Sequence, residues 1–135
     1  MKKKPLIVVV EASSTGFGTW SEDLPGITGY AKTIPEAKKD FADALQAVLD
    51  VNAEEGTPDP ALNDGNFEYI YKYDLPSIFA HFGMLDVTNF AKRIGLNASL
   101  LRQYKAGLAI ASERQKKRIE KGLHDLGQEL LNVRL

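Results

Sequence analysis

The chain of 135 residues contains no cysteine. A disulfide framework, a thiolate metal site and a cysteine nucleophile are excluded together. Histidine is scarce as well. His81 and His124 stand on separate predicted helices, and no His and carboxylate spacing suits a zinc ion. Neither a metal nor any other cofactor is expected. Long apolar runs are also missing. Leu6–Val10, behind Met1-Lys2-Lys3-Lys4, has the outline of a secretory signal. It is too short for one, and Glu11 closes it with no small-residue cleavage site behind. A membrane span needs roughly 20 apolar residues, and no stretch approaches that. The expectation is a cytoplasmic protein with a buried strand behind a basic tip and no membrane partner.

The chain also has little net charge, −1, but that figure hides a split. Residues 1–73 hold 7 Lys/Arg against 12 Asp/Glu, a balance of −5; residues 74–135 hold 10 against 6, a balance of +4. Such asymmetry points to one half with a basic partner and one with a nucleic-acid partner. Excesses this small also arise by chance, so charge alone settles nothing.

The apolar pattern supplies an α+β fold. Pro5–Glu11 reads as a buried strand, and Phe17–Trp20 and Ile27–Ala31 as two short ones around the turn signal Asp23-Leu24-Pro25-Gly26. Thr33 and Glu36 form a capping-box pair ahead of a helix whose apolar stripe is Ala37, Phe41, Ala44, Leu45, Val48 and Leu49. Lys38, Lys39, Asp43 and Gln46 fall on its opposite face. Asn52–Asn66, with two prolines and two glycines, reads as a loop. Phe67–Tyr73 alternates as a final strand. The first half, residues 1–73, is thus a βββαβ unit.

Beyond Asp74 the period changes from two to 3.6. Leu75, Ile78, Phe79 and Phe82 form one stripe behind Asp74 as a candidate cap, and Val87, Phe90, Ala91 and Ile94 another behind Asp86. A short helix follows Gly95-Leu96-Asn97, with Leu101 and Tyr104 inward and Gly107 at its end. Ser112 and Gln115 then open a long helix with Ile119, Leu123, Leu126 and Leu130 on one side. Residues 74–135 are expected to form a small all-α domain.

Val87–Gly107 has the marks of a helix-turn-helix. Ala91 offers a small residue where two helices touch, Gly95 tolerates positive φ, and the second helix keeps one face free. In that arrangement the helix Ala98–Lys105 enters the major groove of duplex DNA. Ala98, Ser99, Arg102 and Gln103 point outward near its start. Arg suits the paired acceptors of guanine, and Gln suits adenine. Lys92, Arg93 and Lys105 are placed for phosphates, and Asn97 for a helix cap or a backbone contact. The competing reading is a pair of ordinary solvated helix faces. Arg114–Arg118 reads as a solvated face, with Glu113 and Lys117 as an i,i+4 pair. Leu123–Leu131 has more apolar length than a small bundle needs, which suits a homodimer or a dimer of dimers.

Ser14–Ala37 resembles the HicB antitoxin family. The resemblance lies in Gly16–Trp20, then Asp23-Leu24-Pro25-Gly26, then Thr33 with Glu36 and Ala37. Leu100–Lys105 and Gly107 are similar to the helix-turn-helix of one branch of that family. The resemblance implies a partial RNase H-like βββαβ module that neutralises a small basic mRNA-cleaving toxin of HicA type. It further implies that the helical domain represses the shared operon. Asp23, Leu24, Pro25, Gly26, Thr33 and Glu36 are the toxin-module motif positions. Departures are Ala31-Lys32, where a polar pair is usual, and Ile27 after the turn.

Two other functions compete. A one-component transcriptional regulator needs a ligand pocket in the first module, for which Tyr69, Tyr71 and Tyr73 are candidates. A nuclease needs clustered carboxylates for two metals. Only Glu11 and Asp23 lie near the sheet by this reading, with Asp64 and Glu68 in or beside a loop, so no enzyme is expected.

Overall fold

Alternation in the first strand decides which way the sheet faces. In β1 (Lys4–Ala12), Leu6, Val8 and Val10 are fully buried, while Ile7 on the other face is 47% exposed. The computed structural model, which describes residues 2–135, places β1 beside β2 (Phe17–Trp20), and β2 beside β3 (Thr28–Ala31), both antiparallel. The chain then runs through helix α1 (Ile34–Glu55) and returns as β4 (Phe67–Tyr73), parallel to β1. The sheet order is β3-β2-β1-β4, a four-stranded mixed sheet. A parallel return needs a crossover of this length, and α1 provides it.

Helix α1 covers the face that β1 buries. Phe41 and Leu45 join Leu6, Val8, Leu24, Ile27, Leu62 and Phe67 in one apolar cluster. Burial of a side chain such as Phe41 stabilises by about 1.5–3 kcal/mol. Thr33 starts α1 by accepting the Glu36 N–H on its Oγ1 at 3.3 Å. The helix outruns the sequence expectation by several residues and ends at Gly56. The Thr57 N–H there donates to the Asn52 carbonyl at 2.9 Å, a Schellman closure.

The expected loop up to Asn66 therefore begins later and is more ordered. Pro60–Gly65 forms a 3₁₀ segment capped by Asp59. Asn63, buried and at positive φ, donates from Nδ2 to the Lys2 and Asn66 carbonyls. Those bonds fasten the loop to the start of β1. Local side-chain bonding of this kind competes with regular structure.

Helix α2 (Leu75–His81) belongs with the sheet. The chain divides into two compact units after His81, eight residues later than the expected boundary after Tyr73. Asp74 explains the difference. One of its oxygens accepts from the Ser77 N–H at 2.8 Å and caps α2; the other accepts from the Ala12 N–H at 3.0 Å. The residue read as a boundary is a clasp between α2 and β1.

The second unit is helical: α3 (Val87–Ile94), α4 (Ala98–Lys105) and α5 (Glu113–Leu131). Each has the expected cap, from Asp86, Asn97 and Ser112. Phe90, Ala91, Leu101, Tyr104 and Ile119 are buried. Leu123 and Leu126 are half-buried, but Leu130 is 62% exposed and lies outside the core. No helix among the described residues is long and apolar enough to cross a membrane.

Candidate nucleic-acid interface

The candidate site is built on the turn between α3 and α4. Gly95 takes φ of 71°, a left-handed conformation that a side chain resists. Its N–H donates to the Lys92 carbonyl, and the Leu96 N–H to the Ala91 carbonyl at 2.9 Å. Leu96 then turns inward, and Asn97 accepts the Leu100 N–H to begin α4. Three residues thus join two eight-residue helices. Ala91 and Leu101, both without solvent exposure, lie in the core of the pair.

With Leu101 and Tyr104 inward, the polar side chains of α4 face water. Ser99, Arg102, Gln103 and Lys105 are exposed, and Ala98 is half-buried. Arg102 donates from Nη1 to the Thr88 Oγ1 at 2.9 Å, which holds its guanidinium against the start of α3. Lys92, Ser99, Gln103 and Lys105 have no side-chain partner among the described residues. The structure therefore brings Ser99, Arg102, Gln103 and Lys105 onto one short helix, with exposed Asn97 at its N-cap.

Arg93 is different. It forms an ion pair with Glu129 of α5, so a phosphate must compete with an intramolecular carboxylate for it. Arg118, read as part of a solvated run, donates from Nε to the Ile94 carbonyl at 3.0 Å. It closes the C-terminus of α3, where a cation meets the negative end of the helix dipole. Nothing in its spacing marked that role. Glu113 pairs with Lys116 at 3.3 Å rather than with Lys117, since i,i+3 neighbours also face each other.

An open hollow of about 440 Å³ lies between α3 and α5, lined by Arg93, Ile94, Arg118, Lys121, Gly122 and Asp125. Its cations are already engaged: Arg93 with Glu129, Arg118 with Ile94, and Lys121 with Asp125 at 2.7 Å. The hydrogen bond from Lys121 holds the Asp125 carboxyl below the usual range.

In the sheet unit the motif residues serve the fold. The Ile27 N–H donates to the Leu24 carbonyl at 3.2 Å across Pro25 and Gly26, a turn that sends Leu24 and Ile27 into the core. Asp23 is exposed and donates its N–H to the Ser21 Oγ at 3.2 Å. Thr33 and Glu36 are exposed at the start of α1. The unit's acidity gathers on the solvent face of α1, where Glu36, Asp40, Asp43, Asp50, Glu54 and Glu55 are all exposed. Six of the 13 Asp/Glu of this unit lie on this one helix.

Tyr69, Tyr71 and Tyr73 form a row along β4. Tyr69 stacks on Tyr71 at 6.0 Å, Tyr73 on His81 at 5.8 Å, and the Lys38 Nζ lies 4.1 Å from the Tyr71 ring centre. Burial raises the pKa of Tyr69 and Tyr71, the latter further because Tyr69 and Tyr73 lie near it. No group of three or more His, Asp or Glu side chains that would hold a metal occurs among the described residues. No family model, curated protein or solved structure matches the chain.

Proposed function

We propose that the chain is an antitoxin and transcriptional regulator of HicB type. The second unit reads duplex DNA through α4, and the first holds a small basic RNA-cleaving toxin. The observation that carries the proposal is the exposed polar face of α4, set on a tight Gly95 turn with both helices anchored by Ala91 and Leu101. A short helix so presented is the element a helix-turn-helix inserts in the major groove. Arg102 and Gln103 supply the base-reading donors and acceptors, while Lys92 and Lys105 meet phosphates. The acidic face of α1 supports the toxin half, because a basic partner is steered to such a surface. Catalysis has no part in this reading.

The test is selection of duplexes by the full chain from a random-sequence pool, followed by binding measurements on the enriched site. Enrichment of a two-fold repeat with half-sites about 34 Å apart is the expected result. A pool that shows no enrichment overturns DNA reading. For the toxin half, the tagged chain purified from its native host should carry a stoichiometric small basic protein that cuts RNA once released. Purification with no such protein overturns that half.

A further inference from the structure

We propose that β4 is a self-association edge, pairing antiparallel with β4 of a second copy about a two-fold axis through Ile70. The inference does not rest on the DNA-binding reading. It begins with where the hydrogen-bonding groups of β4 point. Asn66 accepts from Lys4, and Asp74 donates to Val10, so the even-numbered residues turn their N–H and C=O toward β1. By alternation, Phe67, Tyr69, Tyr71 and Tyr73 turn theirs to the open side. No hydrogen bond among the described residues reaches those groups.

The two sheet edges are unlike. At the β3 edge, four residues long, Asp40 of α1 accepts the Tyr30 N–H at 2.8 Å and so shields it. The β4 edge is seven residues long and rich in aromatics, and no side chain among the described residues bonds its outward N–H groups as Asp40 does at β3. A long unguarded edge is a template for another strand.

The sequence of β4 selects that strand. Phe67-Glu68-Tyr69-Ile70-Tyr71-Lys72-Tyr73 is symmetric about Ile70, with opposite charges two residues to either side. A two-fold at Ile70 sets Glu68 against Lys72 of the second copy, and Lys72 against its Glu68. It also sets Ile70 against Ile70, and Tyr69 against Tyr71. The hydrogen-bond pattern agrees. Tyr69 and Tyr71 become a hydrogen-bonded pair, while Ile70 and the charged pairs fall at non-hydrogen-bonded positions, where side chains approach most closely. Moving the axis to Tyr71 sets Glu68 against Asp74. Moving it to Tyr69 sets Lys72 against Asn66. Only the Ile70 axis pairs both charges. Neither Glu68 nor Lys72 has an ion pair within the chain among the described residues, and Ile70 is 45% exposed. Ile7, its neighbour across β1, is also exposed on that face, so association covers an apolar strip as well.

Because the chain has no cysteine, Ile70→Cys in the full chain gives a clean cross-linking probe. Residues facing at a non-hydrogen-bonded position have Cα atoms about 4.5 Å apart, within disulfide range. Mild oxidation should give a covalent dimer of Ile70→Cys and none of Ile7→Cys, one strand further from the axis. Sedimentation supplies the second arm. Glu68→Lys and Lys72→Glu, each alone, should weaken association about tenfold or more, since like charges then face each other twice. The double reversal Glu68→Lys/Lys72→Glu should restore it. A wild-type chain that sediments as a single copy overturns the proposal and leaves the edge to another protein's strand. So do single reversals that associate normally, or a double reversal no better than the singles. Absence of the Ile70→Cys cross-link from associated protein also overturns it.

Discussion

At the scale of single residues, two glycines of α5 have opposite meanings. A Cβ on Gly122 would run into the Ile94 Cγ2, with Phe90 close behind, so α5 and α3 touch through that gap. A Cβ on Gly127 meets nothing within 4 Å. Alanine favours a helix over glycine by up to about 1 kcal/mol, and overpacking a close contact costs about 1–3 kcal/mol. Gly127→Ala should therefore stabilise the helical unit by about 0.5–1 kcal/mol. Gly122→Ala should destabilise it by about 1–2 kcal/mol net. Denaturant titrations of both variants check this, and equal shifts in the same direction would reject the packing argument. The sequence marked both glycines alike. Helical spacing puts a residue on a face, but it does not say how near the next helix comes. Arg118 was illegible for the same reason. Its partner, the Ile94 carbonyl, is 24 positions away, and nothing local announces it.

At the scale of elements, capping chemistry was the legible part. Thr33, Asp86, Asn97 and Ser112 were readable because each accepts an N–H three residues ahead, a relation fixed by the helix itself. Asp74 was half-legible. Its bond to Ser77 is local, but its bond to Ala12 spans 62 positions. Asp74→Ala should cost about 2 kcal/mol, combining a lost cap with an unpaired strand N–H. Asp74→Asn keeps one acceptor and should lose less. A urea midpoint for Asp74→Ala indistinguishable from wild type would show that the clasp holds nothing.

The β4 tyrosine row makes a second claim at this scale. Burial raises Tyr69 and Tyr71 above the ordinary pKa of 10.0. Ionisation is therefore harder in the folded chain than in the unfolded one. Their stabilising effect is whole below pH 10 and is lost as pH rises through the folded values. Tyr71→Phe should flatten the fall of stability at alkaline pH while leaving neutral pH nearly unchanged. Denaturant midpoints across that range test it, and an unaltered alkaline slope would contradict it.

At the scale of the whole molecule, the boundary at His81 sharpens the charge split. Residues 74–81 carry one acid, Asp74, and no Lys or Arg. With them the first unit holds 7 Lys/Arg against 13 Asp/Glu, or −6, and the second 10 against 5, or +5. The sequence placed the asymmetry but not its edge, because the helical period begins before the helical unit does. The candidate site was legible to a similar depth. Its caps and apolar anchors follow from spacing, whereas the Arg93–Glu129 pair depends on how α5 lies against α3. That pair separates the cations into classes with different expected effects on DNA binding. Lys92 is exposed and has no ion pair among the described residues, so Lys92→Ala should weaken binding to every sequence and reduce the slope of log affinity against log salt by about one. Arg102 is exposed on α4, with its guanidinium bonded to Thr88, so Arg102→Ala should cost about 1–3 kcal/mol at one base pair and relax discrimination there. Arg93→Ala removes a cation already neutralised by Glu129, and its salt slope should change by less than that of Lys92→Ala. Titrations of the three variants at several salt concentrations, on the selected duplex and on one with that base pair changed, separate these effects. If Lys92→Ala and Arg102→Ala lose affinity equally on both duplexes, α4 is not the element that reads sequence.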